Sequence, residues 1–156
     1  MKYNFCTLFD SYYLTRGLVL YESLLKNCND FHLYIFAFDS KTFEILKKKN
    51  LEYVTVIPLS EFEDEDLLQV KSTRTIAEYC WTSTASTIRY SIINYKLDHC
   101  TYIDADIYFF SSPDSIFNEI GDSSIGITPH NFSKELSSSE VYGKYCVQFT
   151  YFKNNK

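Results

Sequence analysis

Glycine is scarce in this chain, and only one of its four glycines, Gly17, falls anywhere near the N-terminus. A loop that cradles phosphate with backbone N–H groups needs glycine, so the early phosphate loop of a sugar-nucleotide-synthesising nucleotidyltransferase is missing. Cysteine pairs of metal-binding spacing are missing too. The five cysteines, Cys6, Cys28, Cys80, Cys100 and Cys146, are odd in number and widely spaced, which fits neither a zinc site nor a disulfide framework. Clustered positive charge is confined to Lys47-Lys48-Lys49 in a chain of formal net charge -5, which argues against nucleic acid as a partner. That short run follows a helical pattern, where cations complement the helix C-terminus. Met1-Lys2-Tyr3-Asn4-Phe5 lacks the basic-then-apolar layout of a signal peptide, and no apolar stretch has the length of a transmembrane segment. No internal repeat, low-complexity tract or linker interrupts the chain.

What the chain has instead is apolar and aromatic surface: 46% hydrophobic residues, with 14 Tyr and 13 Phe among 156 residues. That is the length of about one domain, so residues 1–156 are read as a single unit around one core. Cysteines lying in apolar runs behave as small buried residues, which suits a reducing compartment. The expected location is the cytoplasm, with any membrane contact peripheral.

The order of elements points to an α/β fold. Tyr3–Phe9 reads as a first strand. Leu14, Leu18, Tyr21 and Leu25 mark a helix, with Leu24 and Cys28 widening its stripe. Phe31–Phe38 is a strand apolar enough for burial on both faces, and Asp39 or Ser40 caps the helix through Phe43, Ile45 and Leu46. Val54–Ile57 is a third strand, ended by Pro58. This alternation implies a mostly parallel sheet flanked by helices. Residues 60–82 read as an acidic loop and a helical stretch carrying Lys71 and Arg74. Ser83 or Thr84 is expected to cap a helix whose Ala85, Ile88, Ile92 and Tyr95 share a face. After Phe110 come a helix from Ser115 to Ile120 stopped by Gly121, a strand over Ser124–Thr128, a polar loop from Lys134 to Glu140, and a last strand over Tyr145–Phe152.

One stretch stands apart: Cys100-Thr101-Tyr102-Ile103-Asp104-Ala105-Asp106-Ile107-Tyr108-Phe109-Phe110, where two carboxylates interrupt an apolar run. If the run is a strand, alternation puts Asp104 and Asp106 on one face, where one divalent cation can meet both. Unpaired carboxylates in a core are costly, so the pair is expected where the strand emerges into a crevice, balanced by a metal carrying a phosphorylated ligand. The pattern alone decides nothing, because Asp64-Glu65-Asp66 repeats it within a charge run that reads as a solvated loop or helix start.

Thr7-Leu8-Phe9-Asp10-Ser11-Tyr12-Tyr13, then Glu78-Tyr79-Cys80-Trp81-Thr82 before a helix bearing Arg89, then Tyr102-Ile103-Asp104-Ala105-Asp106 resemble, in that order, bacterial GT-A-type glycosyltransferases, the nucleotide-diphospho-sugar transferases. The resemblance covers essentially the whole chain. It implies a GT-A-like, Rossmann-like mixed sheet and transfer of a sugar from a nucleotide-diphosphate donor, a UDP-sugar first, to a saccharide, lipid or protein acceptor. It implies that Thr7, Asp10, Tyr12, Tyr13 and the weaker candidate Asp39 contact base and ribose. Asp104 and Asp106 would hold Mn²⁺ or Mg²⁺ against the diphosphate, a Lewis-acid role. Arg89, and behind it Arg74, would meet the donor's phosphates or sugar, His130 would face the sugar side, and Gln148 the acceptor side. Relatives add a further metal ligand and much of the acceptor site downstream, so residues 1–156 are expected to be the N-terminal, donor-binding part of a longer enzyme. Two rivals remain: a non-catalytic nucleotide-sugar-binding module, and a haloacid-dehalogenase-like phosphatase, which also carries two aspartates at a strand end, though on its first strand.

Overall fold

The computed structural model describes residues 2–155. Its elements follow as β1 (Tyr3–Phe9), α1 (Leu14–Asn27), β2 (Phe31–Ala37), α2 (Ser40–Lys49), β3 (Val54–Pro58), α3 (Leu59–Phe62), α4 (Glu65–Lys71), α5 (Ile76–Tyr95), β4 (His99–Ile103), α6 (Asp114–Ile120), β5 (Ile125–Pro129) and β6 (Tyr145–Lys153). The strands form one six-stranded sheet in the order β3-β2-β1-β4-β6-β5. β1, β2, β3 and β4 run parallel, and β6 lies antiparallel to both of its neighbours, so β6 alone points the other way. The mixed, mostly parallel sheet expected from the sequence is therefore present. Its consequence is geometric: the loops after β1, β2, β4 and β5 all open at one edge, where open α/β sheets bind their ligands.

Alternation along β1 builds two apolar layers. Phe5 and Phe9 point into the layer containing Leu20, Leu24, Phe109 and Phe117, while Cys6 and Leu8 point into the layer of Tyr79, Ile88 and Tyr102 under α5. β2 is buried on both faces, as its unbroken apolar run requires. Gly17 is where α1 crosses β1, and any side chain there would collide with the Phe9 ring. Lys47, Lys48 and Lys49 close α2 as expected, before Asn50 turns left-handed. All five cysteines are free thiols, with Cys6, Cys28 and Cys100 buried.

Four expectations are corrected. α5 starts far ahead of Ser83 and Thr84: Thr75 caps it, with Glu78 completing a capping box. The caps seen at Ser83 and Thr84 are interior residues whose hydroxyls bond back to the carbonyls of Tyr79 and Cys80, because a hydroxyl on a buried helix face can satisfy itself within the helix. The buried face of α5 accordingly carries Tyr79, Ser83, Thr87, Ile88 and Ser91 rather than Ala85. In α1, Leu24 is buried and Leu25 is exposed. The stretch Lys134–Tyr142, which includes the expected polar loop, winds as a 3-10 helix. The fourth correction concerns the acidic run: β4 ends at Ile103, one residue before Asp104.

Candidate functional site

β4 is buried along its whole length and stops where its side chains turn acidic. The Asp104 N–H donates to the Gln148 carbonyl on β6 at 3.0 Å, and its own carbonyl accepts from Ile107 N–H at 3.2 Å. A turn, rather than strand alternation, therefore presents the two carboxylates, with the buried Ala105 pinning it from beneath. Asp104 is half-buried and Asp106 exposed. Burial pushes the Asp104 carboxyl above its ordinary range, the Tyr102 phenol beside it acts the other way, and the neighbouring Asp106 charge raises it further. Among the described residues, no Lys, Arg or His lies within 4.0 Å of either carboxylate.

Two oxygen ligands, close enough to disturb each other and unneutralised by the protein, suit a hard divalent cation. Among the described residues no group of three or more His, Cys, Asp or Glu surrounds them, so the protein side offers only this pair. The donor set fits a cation whose remaining ligands come from a bound phosphate.

The loop after β1 opens beside them. Asp10 accepts from the N–H groups of Tyr12 at 3.0 Å and Tyr13 at 3.3 Å, folding the chain into α1. Tyr12 is left 89% exposed, its ring free to stack, while Tyr13 carries the Arg16 guanidinium 4.3 Å above its ring centroid. Asp39 ties the next loop in: its two oxygens accept from Ser11 N–H at 2.8 Å and Thr42 N–H at 2.6 Å, making it the cap of α2 and the link to the β1 loop. Thr7 is a correction. It is 0% exposed inside β1, on the face opposite α5 with Phe5 and Phe9, so no base can reach it.

Arg89 is exposed on α5. It lies half a turn from Thr87, on the outer face of α5, where with Glu61, Ser86 and Asn94 it lines a cavity of about 270 Å³. Among the described residues it makes no ion pair within 4.0 Å with either aspartate. Arg74 is exposed in the turn between α4 and α5. His130 is exposed beyond the end of β5, at the same edge as Asp104, with its ring stacked on Phe132 at 4.7 Å. The Gln148 side chain is exposed, and its carbonyl is what meets Asp104.

Sequence reasoning missed the part that α5 supplies. Cys80 is half-buried and its thiol is pushed up to about 11, by burial and then by the Asp10 carboxylate, which places it beside the β1 loop. Thr84, one turn on, is half-buried and its hydroxyl donates to the Cys80 carbonyl at 3.3 Å. The spacing of four between Cys80 and Thr84 was legible, but only a helix starting at Thr75 turns it into a face of the crevice.

Solved structures with the same arrangement include the glycosyltransferase GlyE of Streptococcus pneumoniae TIGR4, with a TM-score of 0.57 at 13% identity, 99% of this chain covering 34% of that one. The bifunctional glycosyltransferase WbbM in its apo form is similar, with a TM-score of 0.56 at 10% identity over 97% of this chain and 31% of that one. At such identities the likeness shows the fold alone. Two Bacillus subtilis (strain 168) proteins are similar in sequence: the uncharacterised YfnD is 32% identical over 99% of this chain and 50% of its own length, and the uncharacterised YfnF 30% identical over 99% and 54%. The chain thus spans about half the length of these relatives. The description of glycosyl transferase family 8 matches residues 4–156, nearly the whole of the chain, and the protein belongs to that family.

Proposed function

We propose that residues 1–156 form the donor-binding unit of a metal-dependent glycosyltransferase, the N-terminal part of a longer enzyme, that takes a nucleotide-diphosphate sugar, a UDP-sugar first, and passes the sugar to a saccharide, lipid or protein acceptor. The observation that carries this reading is the half-buried Asp104 beside Asp106 at the end of β4, with no protein cation within 4.0 Å among the described residues. Family membership supports the reaction class.

In this reading Asp104 and Asp106 hold Mn²⁺ or Mg²⁺ against the diphosphate, where the cation offsets the charge gathered on the leaving group. Tyr12 offers a solvent-facing ring to the base, and the Asp10 turn sets where that ring stands. His130 faces the sugar side from the end of β5. Arg74 is exposed at the head of α5 and serves as a phosphate partner. Arg89, exposed on α5 beside a cavity of about 270 Å³, is a second cation available to the donor's phosphates or sugar.

Thermal unfolding in the presence of a panel of nucleotide sugars, with and without Mn²⁺, tests the reading, because a ligand that binds the folded state raises its melting temperature. The expected result is a shift from one donor family that needs Mn²⁺. A shift unaffected by Mn²⁺, or none with any donor, overturns it. Robust sugar transfer by the 156-residue chain alone would instead refute only its assignment to a longer enzyme.

A further inference from the structure

Trp81 is the chain's single tryptophan, and it stands 71% exposed in the second turn of α5 rather than in a loop. The capping box of Thr75 and Glu78 fixes the start of that helix, so the indole is carried on a rigid support. Its direction follows from its neighbours around the same helix. α5 packs over β1 and β4. Tyr90 leaves it toward β2 and α3, with its ring 5.5 Å from that of Phe36 and 5.9 Å from that of Phe62, and its hydroxyl donates to Glu61 at 2.7 Å. Trp81 precedes Tyr90 by nine residues, about two and a half turns, and so leaves on the opposite side, toward β6. Ile88, about two turns from Trp81 on that same side, is buried in the layer of Cys100 and Tyr102 on β4.

Its height matches the acidic turn. Cys6 on β1 meets the Thr87 hydroxyl of α5 at 3.6 Å and lies opposite Tyr102 in the β1–β4 ladder. α5 runs against β4, so from that level the helix rises about 9 Å over the six residues back to Trp81. β4 rises about 7 Å over the two residues on to Asp104.

Sheet order assigns the sides of the crevice. Tyr12 stands on the loop after β1, and Asp104 and Asp106 follow β4, with β6 beyond it. A donor whose base lies at β1 and whose diphosphate lies at β4 carries its sugar onward, toward β6, on the side to which Trp81 points. The acceptor has to reach the anomeric carbon from there. A pyranose presents a face of C–H groups ringed by hydroxyls, and that face suits the electron-rich face of an indole while the hydroxyls stay in water.

We propose that Trp81 is an acceptor-binding residue and that its acceptor is a saccharide, a pyranose ring stacked on the indole at the β6 side of the acidic turn. The inference rests on the reading of Asp104 and Asp106 as the cation site of a donor, and it narrows the acceptor from saccharide, lipid or protein to the first of these.

Being the single tryptophan, Trp81 reports on itself. With UDP and Mn²⁺ bound, its fluorescence is followed while methyl glycosides and short oligosaccharides of glucose, galactose and N-acetylglucosamine are added in turn. The expected result is a saturable shift of emission to shorter wavelength with one of them, as the sugar displaces water from the indole. Trp81→Ala should weaken that saccharide's binding about 10-fold in calorimetry, the upper end of what aromatic stacking contributes, and Trp81→Phe should weaken it less. Both variants should keep the rise in melting temperature given by UDP and Mn²⁺, which separates the acceptor side from the donor side. If UDP and Mn²⁺ raise the melting temperature of the parent but no saccharide moves the emission, the inference alone is overturned. A response confined to dodecyl glycosides overturns it in favour of a lipid acceptor, and one confined to the sugar of a UDP-sugar overturns it in favour of the donor. If UDP and Mn²⁺ give no rise at all, the cation site and this inference fail together.

Discussion

Two runs in this chain share the Asp-x-Asp pattern and meet opposite fates. In Asp64-Glu65-Asp66, Asp64 accepts from Leu67 N–H at 2.9 Å and caps α4, and all three carboxylates are exposed. Their charge suits the positive end of a helix and stays in water, at no cost to the fold. In Asp104-Ala105-Asp106 the first carboxylate is half-buried at the end of a fully buried strand, with a like charge beside it. That is an unfavourable place for a carboxylate unless something cationic joins it. The difference teaches that the pattern's meaning comes from where the backbone delivers it: one run completes a helix, the other leaves an electrostatic demand unmet.

Substitutions can break this contrast. Asp104→Asn should remove the Mn²⁺-dependent part of any donor-induced thermal shift, while Asp66→Asn should leave it whole; equal behaviour of the two variants would erase the distinction. Without metal, Asp104→Asn should not lower the melting temperature, since it relieves an unpaired half-buried charge. Next in size, Tyr12→Ala should weaken UDP binding about 10-fold in calorimetry, because stacking a base on an aromatic ring is worth about 1–3 kcal/mol. The fold should not notice, given that ring's exposure.

Smaller effects sharpen the structural side. Asp64→Ala removes a helix cap and should cost about 1 kcal/mol, seen as a fall of about 2–4 °C in melting temperature with the Mn²⁺ response unchanged. Asp39 gives a pH signature. Burial pushes its carboxyl up, but the bonds from Thr42 and Ser11 outweigh this and hold it below the ordinary 3.8. A depressed folded-state value stabilises the protein above the unfolded one, and that stabilisation is lost as pH falls through the folded value. Asp39→Asn should therefore flatten the decline of melting temperature below about pH 4; an unchanged acid limb would show that Asp39 contributes nothing there.

Much of the architecture was legible. The strand of seven apolar residues at Phe31–Ala37, the lysine-ended α2 and the Gly121 stop of α6 each carry a local signal strong enough to survive packing. The start of α5 was not, because Ser83 and Thr84 look like caps and their true role, back-bonding on a buried face, depends on the sheet beneath. The site was half legible. Asp10, Tyr12, Asp39 and the acidic pair follow the ends of predicted strands at one edge of the sheet, whereas the burial of Thr7 inside β1 and the cavity beside Arg89 depend on packing that no local pattern records.

Composition and order, taken alone, fixed the α/β alternation, the direction of the first three strands and the acidic interruption of the fourth apolar run, because burial periodicity and helix ends are written residue by residue. The reversal of β6, the stop of β4 one residue short of Asp104, and the bond from the Asp104 N–H to the Gln148 carbonyl were settled only in three dimensions. Those features join residues far apart in the chain, and no local pattern records which backbone will cap a strand or which helix face will lie across it.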